Sequence, residues 1–459
     1  MLLLLAAWFT LSAVTLCEAR QQTATGPVMD NSDSLGSSTA AGKSAPPMHS
    51  TGIRGSIDSG GYSAPGVART QTALRADLLR LQLEALKPAY CIKVTFPCGM
   101  EASLAEAARA QPANFAATYQ GGTFYLQHAE PAKASDYLEK AHQAKASDAN
   151  VTRLLAIADL QLQRPADALD LISQAPGGTE NAELRILAGI AAKASGKAET
   201  AEEQFRIAAQ DQPSKENLFA WGTELLLLGR VAQAAGVFHK AMAQYPQSTM
   251  LELGAAAAIF DEGNSAGALQ MLLRVAEKNP ASPAAFVLIG SILQSPSIQT
   301  PPELKAQLSR FAARAPDNSR ANFAYALVLL RDGGSADPAQ LRAAEDLLKR
   351  ATAIDPSFAE AYFKLGTLYA ERADYALAVP EFRKATEADP DFAEAHYRLG
   401  QAYMRSGQAV LAEKEFAAHQ KLRAQTDSLE DATNKFLMSD FAAEMRSARC
   451  PASLPEAVP

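Results

Sequence analysis

The sequence contains few of the residues that most often carry catalysis or bind metals. Its 459 residues include four cysteines, six histidines and two tryptophans. The histidines show no His-Glu-x-x-His spacing, and no motif brings together a nucleophile, a base and an orienting group. Basic residues do not exceed acidic ones, and the net charge of −7 argues against sequence-independent binding to nucleic acids. We therefore expect a non-catalytic protein without cofactors, without a metal and without a nucleic-acid partner.

Long apolar runs are also rare, and the exception lies at the N-terminus. Residues 2–16 are mostly apolar, and Cys17, Glu18 and Ala19 then offer a short cleavage region. The run is short for a membrane span. The pattern predicts a cleaved signal peptide over 1–19 and an exported protein, periplasmic or secreted, that has no stable membrane span afterwards. The alternatives are an uncleaved anchor, which would tether the protein to a membrane, and a chance apolar run.

The next two segments differ in composition. Residues 20–70 are rich in Ser, Gly, Ala, Thr and Pro without periodicity, which predicts a disordered tether. From residue 71 leucines recur at helical spacing until Pro88, and a second helical pattern covers 101–111. We interpret 71–112 as a degenerate helical unit with a loop inserted between its two helices.

The inserted loop carries two cysteines. Cys91 and Cys98 are close enough in sequence to form a small-loop disulfide in an exported protein. The alternative is a pair of buried or free thiols. A metal site is not expected, because no histidine or second cysteine pair lies nearby. Cys450 follows the last predicted helix and is either free or paired between molecules.

A repeat of about 34 residues fills most of the remaining chain. Two successive copies place the same kinds of residue at the same phases: Leu365, Gly366, Tyr369, Ala378, Phe382, Ala385 and Pro390 in one, and Leu399, Gly400, Tyr403, Ala412 and Phe416 in the next. Two apolar stripes at helical spacing in each copy predict two amphipathic helices, and proline ends the second. One unit cannot bury its own apolar face, so the units must stack on each other.

This spacing resembles the tetratricopeptide repeat (TPR), in a protein of the exported bacterial type. The resemblance implies an all-α solenoid of antiparallel helix pairs that forms a right-handed superhelix, with about nine units over 113–426. After the repeats, four apolar residues share one helical face: Phe436, Leu437, Phe441 and Met445. They predict a C-terminal capping helix over 427–449, followed by a flexible tail over 450–459.

The resemblance also indicates a binding surface. In TPR proteins the first helix of each unit lines a concave surface, and the residues at one equivalent phase here are Ile186, Phe219, Leu253, Val287, Phe323, Phe363 and Tyr397. All seven are apolar or aromatic, and an exposed stripe of this kind is typical of a binding groove. We predict that they contact an apolar segment of a protein or peptide partner. The alternative is that they pack against their neighbours or against the predicted C-terminal helix.

These observations favour a non-catalytic scaffold or adaptor of the cell envelope that binds a partner segment in its groove. One alternative is an accessory subunit of an envelope enzyme or of a secretion or assembly machine. Another is a structural protein that associates with itself. The choice depends on the surface and its occupant, because a fold alone does not determine function.

Overall fold

The computed structural model of the protein describes residues 65–91, 101–110, 114–176, 181–280, 282–295, 298, 301, 303–333 and 337–425. These residues form α-helices and connecting turns, with no β-strand among them. The predicted all-α solenoid of antiparallel helix pairs is confirmed. The predicted signal peptide, most of the tether, Cys98, the capping helix and the tail lie outside the described residues.

Two helices precede the regular pairs: α1, Pro65–Tyr90, and α2, Glu101–Ala110. Nine pairs follow in the described part of the chain: α3 Phe115–Gln127 and α4 Pro131–Ala144; α5 Ala149–Gln161 and α6 Pro165–Gln174; α7 Ala182–Ala194 and α8 Ala198–Asp211; α9 Lys215–Leu227 and α10 Val231–Gln244; α11 Thr249–Asp261 and α12 Ser265–Lys278; α13 Ala284–Leu293 and α14 Leu304–Arg314; α15 Ser319–Gly333 and α16 Pro338–Ile354; α17 Ala359–Glu371 and α18 Tyr375–Ala388; α19 Ala393–Arg405 and α20 Ala409–Gln425.

Local sequence explains where these helices begin and turn. Asn114, Asp148 and Asn181 cap α3, α5 and α7, because their side-chain oxygens accept hydrogen bonds from backbone N–H groups of the first turn. The turns between the two helices of a pair contain a residue in the left-handed region: Ala129, Gln163, Gly196, Gly229, Gly263, Ala373 and Gly407. Four of these residues are glycines, which adopt this conformation without steric cost, and the turns that contain them have only three residues.

Aromatic rings that lie over glycines hold neighbouring helices close together. Phe238 on α10 is fully buried. A methyl group at Gly222 on α9 would lie 2.6 Å from Cζ of Phe238, and one at Gly254 on α11 would also clash with this ring. The pairing of glycine and phenylalanine recurs in other units: Gly189 with Phe205, Gly366 with Phe382, and Gly400 with Phe416. The small residue therefore sets the distance between the helices, and the ring fills the space between them.

The linker between α13 and α14 is longer than the linkers inside the other pairs. Arg331 on α15 donates hydrogen bonds to the backbone oxygen of Ser295 at 2.8 Å and to that of Ile298 at 2.9 Å. The following unit thus satisfies backbone groups that the end of α13 leaves without helical partners.

Candidate binding groove

The longest described helix does not belong to a helix pair. α1 packs against α7, α9, α11 and α13, which are the first helices of four consecutive pairs. These four helices carry the first four residues of the predicted groove stripe. Along α1, Asp77, Gln82 and Ala89 bond to α13, α9 and α5 in that order. The helix therefore lies in the groove and runs against the order of the units.

Leucines on several faces of α1 account for its burial. Leu78 is 0% exposed and Leu83 is 2% exposed. Leu78 belongs to the hydrophobic cluster of the later units, and Leu83 belongs to the cluster of the earlier units. Burial of each leucine is worth about 1.5–3 kcal/mol relative to exposure. α1 therefore connects the two apolar clusters of the solenoid.

A buried polar network lies at the middle of the groove. The side-chain nitrogen of Gln82 donates to the backbone oxygen of Ala220 at 2.7 Å, and its side-chain oxygen accepts from Nζ of Lys193 at 3.3 Å. Lys193 on α7 also forms an ion pair with Glu224 on α9, and their side chains are 7% and 2% exposed. Burial lowers the pKa of Lys193, and the charge of Glu224 opposes that change. A fully paired polar network of this kind favours one register of α1.

A second polar contact lies nearer the start of α1. Oγ of Ser291 on α13 donates to Oδ2 of Asp77 at 2.5 Å. Burial raises the pKa of Asp77 from 3.8 to about 6, and Glu360 raises it further, whereas the hydrogen bond from Ser291 and the charges of Arg80 and Arg320 lower it. The groove therefore binds α1 more strongly when Asp77 is protonated.

The C-terminal end of α1 is held by one arginine. Nη1 of Arg153 on α5 donates to the backbone oxygen of Ala89 at 3.0 Å and to that of Cys91 at 3.3 Å. The last carbonyl groups of a helix have no partner within the helix, and a positive charge is favourable at that end. Arg153 therefore recognises a helix terminus rather than a particular side chain.

The structure buries most of the predicted groove residues. Ile186, Phe219, Leu253, Phe323 and Phe363 are between 0% and 9% exposed, and Val287 and Tyr397 are half-buried. Ile186 lies in the same cluster as Leu83 of α1, and Phe219 and Leu253 lie in the same cluster as Leu78. The part of the predicted stripe in the earlier units thus shares its apolar environment with α1.

The later part of the stripe packs on aromatic neighbours. The ring centroid of Phe323 lies 4.8 Å from that of Phe358, and the ring centroid of Phe363 lies 4.9 Å from that of Phe392. Tyr397 lies 5.9 Å from Phe416. Packing between neighbours was the alternative to partner contact for these residues, and their contact with a partner remains a prediction.

The segment 71–112 is arranged differently from the expected degenerate unit. α1 begins at Pro65, inside the expected tether, and packs in the groove, whereas α2 packs against α3. The leucine pattern gives the reason, because a helix that is apolar on several faces must be covered on several sides. Cys91 is disulfide-bonded. Its pairing with Cys98 remains a prediction, since Cys98 lies outside the described residues.

Sequence reasoning missed the polar residues that contact α1. Arg153, Lys193, Glu224 and Ser291 lie on the first helices of their pairs, among apolar residues. A charged residue within an otherwise apolar helix is rarely buried without a partner. Lys193 and Glu224 are one unit apart, and this spacing was the available signal for a buried ion pair.

None of the described helices is both long enough and apolar enough to cross a membrane. The described residues also contain no group of three or more histidine, cysteine, aspartate or glutamate residues that could hold a metal ion.

Replacing Asp77 with asparagine should reduce the pH dependence of stability. The raised pKa of Asp77 means that its stabilising contribution is fully present below pH 3.8 and is lost as the pH rises through about 6. In the original protein this loss lowers the free energy of unfolding by at most about 3 kcal/mol above neutral pH. Asparagine stays neutral, so Asp77→Asn should not show it. Urea unfolding of both proteins between about pH 4 and pH 8 measures the difference.

The matched control for this prediction is Asp374→Asn. Asp374 caps α18 at an exposed position, outside the contact with α1. Asparagine caps a helix about as well as aspartate, so this replacement should change the free energy of unfolding little. Equal pH profiles for Asp77→Asn and the original protein would show that Asp77 does not titrate in the groove.

Comparisons with known proteins agree with the helix-pair architecture. Residues 219–283 match a family model described as "Tetratricopeptide repeat", and residues 368–407 match one described as "TPR repeat". A search of curated proteins found no match to the chain. The two matched segments cover α9 to α12 and the region from the end of α17 to the end of α19.

Several solved structures are similar to parts of this chain at low sequence identity. A tetratricopeptide repeat protein from Parabacteroides merdae is 16% identical, with 56% of this chain and 99% of that one covered and a TM-score of 0.38. MamA is 19% identical, with 45% and 96% covered and a TM-score of 0.26. A structure of the Cut9–Hcn1 hetero-tetramer of APC/C is 15% identical, with 79% of this chain and 68% of that one covered and a TM-score of 0.37. These values carry no information about a shared partner. Two segments of the chain match tetratricopeptide repeat models, and its described residues form an all-α solenoid of helix pairs.

Proposed function

We propose that this protein is a non-catalytic scaffold or adaptor that binds a helical segment of a partner protein in its concave groove. The observation that carries the proposal is α1, a helix of 26 residues that lies along the first helices of four consecutive pairs. The groove therefore has the width and the apolar lining that a helix requires. TPR arrays generally mediate contacts between proteins, and recognition of an amphipathic helix in an apolar groove is a common mode of such contacts.

The groove supplies both affinity and register for a helical ligand. Apolar residues such as Phe219 and Leu253 lie in one hydrophobic cluster with Leu78 of the helix, and burial of apolar surface is the larger energetic contribution. Lys193, Glu224 and Ser291 bond to polar side chains of the helix and disfavour a shifted register. Arg153 bonds to the terminal carbonyl groups. A partner is thus selected by its apolar spacing and by where its helix ends.

The proposed location is the cell envelope. It rests on the apolar N-terminal run and on the cysteine pair, which are typical of exported proteins. Fractionation of cells that express the full-length protein, followed by N-terminal sequencing of the recovered chain, tests this part. A mature chain that starts near residue 20 in the exported fraction is the expected result, and a full-length chain in the cytosol would contradict it.

Site-specific photocrosslinking tests the binding function. A photoreactive residue at Tyr397, a half-buried position of the predicted stripe outside the four helices that pack against α1, should capture one partner in fixed proportion from the envelope fraction of the native host. The same residue at Gln233, which is exposed on the second helix of its pair, serves as the matched control. Equal capture of the same proteins at both positions would contradict binding in the groove.

A further inference from the structure

α1 has the features of a bound ligand rather than of an integral solenoid helix. Each repeat unit contacts mainly its neighbours, and the nine described pairs stack in this way without using α1 as a member of any pair. One side of α1 stays open to solvent, because Arg80 and Glu84 are exposed. The helix is therefore covered by the groove on its inner faces only, as an added peptide would be.

We propose that α1 is an intramolecular ligand that competes with a partner helix for the groove. This inference rests on the proposed function and adds its regulation and the chemical class of the partner. The partner is an amphipathic helix with leucines at the spacing of Leu78, Leu79, Leu83 and Leu86, an amide side chain at the position of Gln82, and a C-terminus that reaches Arg153. Because α1 is attached to the same chain, it competes with the partner helix for the groove at every protein concentration.

Mass action gives the size of this competition. A tethered ligand reaches an effective concentration in the millimolar range, and the apparent dissociation constant of a free ligand rises as the inverse of the fraction of groove that the tethered ligand leaves unoccupied. A free helix identical to α1 should therefore bind poorly to the original protein. Weakening α1 should make the same groove available and should tighten the binding of the free helix by at least about 10-fold.

Fluorescence anisotropy with a labelled synthetic peptide of residues 74–90 tests the competition. The host is the full chain in two forms, the original and the variant Leu78→Asp/Leu83→Asp, which changes one leucine in each apolar cluster. We expect binding to the variant and little binding to the original protein. A peptide with Gln82→Ala should bind the variant about 10-fold more weakly, because it cannot bond to Ala220, Lys193 and Glu224.

The matched control is the variant Glu84→Ser, at an exposed position of the same helix. It should bind the peptide as weakly as the original protein. Equal binding of the peptide to all three proteins would overturn the competition, since the groove would then be open without any change in α1. Absence of binding to a folded Leu78→Asp/Leu83→Asp variant would overturn it as well.

Hydrogen exchange of the original protein gives a second test, which does not depend on the folding of a variant. Amides of 74–90 should exchange through local release of α1 and should therefore lose protection at least about 10-fold faster than the amides of α10. Identical protection of both helices would overturn the inference, because α1 would then open only with the whole solenoid. That outcome leaves the groove crosslink at Tyr397 as a separate test of the proposed function.

Discussion

Replacing Phe238 with alanine is expected to lower the free energy of unfolding by about 3–5 kcal/mol. The ring is fully buried between Gly222 on α9 and Gly254 on α11, so its removal leaves a cavity at the junction of two units. The glycines cannot fill the space, and helices of a stacked array cannot collapse independently of their neighbours. Urea unfolding followed by circular dichroism measures the loss.

A double-variant cycle shows whether the ring acts through its contact with the glycine. Gly222→Ala alone should destabilise by about 1–3 kcal/mol, because the new methyl group would lie 2.6 Å from Cζ of Phe238. In Gly222→Ala/Phe238→Ala the methyl group enters the cavity, so the loss should be smaller than the sum of the two single losses. Strict additivity would show that the two residues do not share one contact. Gln233→Ala, at an exposed position of α10, is the control for helix propensity.

The repeat made this junction predictable from the sequence. Gly222 and Phe238 occupy the same phases as Gly366 and Phe382, and apolar residues at helical spacing around them define both helices of the pair. The caps and turns follow from local sequence as well, since Asp148 or Gly229 satisfies a backbone requirement at its own position. Local sequence rules and packing between neighbouring units are thus sufficient to predict the solenoid.

The occupant of the groove was not predictable in the same way. The leucines of α1 showed a helix that must be buried on several faces, but they did not show which surface would cover it. Asp77 and Ser291 are separated by more than two hundred residues in the chain, and Gln82 and Glu224 by more than one hundred. Contacts at such separations follow from the path of the whole solenoid. The repeat phase identified the apolar stripe because the stripe recurs once in each unit. It missed α1 because α1 does not belong to any unit.

Replacing Glu224 with alanine is expected to destabilise the protein by about 3–5 kcal/mol near neutral pH. The change leaves the ammonium group of Lys193 buried without its counter-charge, and Gln82 of α1 retains only the backbone oxygen of Ala220 as an acceptor. Removal of the Glu224 carboxylate therefore affects both the stability of the solenoid and the binding of α1 in the groove. Urea unfolding measures the first effect, and hydrogen exchange over 74–90 measures the second.

The pH dependence separates an unpaired charge from a simple cavity. Burial already lowers the pKa of Lys193 below its ordinary value of 10.5, and loss of Glu224 should lower it further. The unfolded chain then binds more protons than the folded one between the lowered pKa and 10.5, so stability should rise with pH across that window. A loss that stays constant up to about pH 10 would instead indicate a cavity alone.

Two further variants test how much the charges of Lys193 and Glu224 contribute to stability. Lys193→Met/Glu224→Leu removes both charges together, and it should recover most of the stability that Glu224→Ala loses, because apolar residues of similar size often replace a buried ion pair without net cost. The recovery should not extend to α1, since Gln82 would still lack its charged partners. Glu203→Ala breaks an exposed pair with Arg206 and should cost less than about 1 kcal/mol. If the double variant restores stability but leaves α1 loosened, the Lys193–Glu224 pair contributes to the binding of α1 and not to the stability of the solenoid.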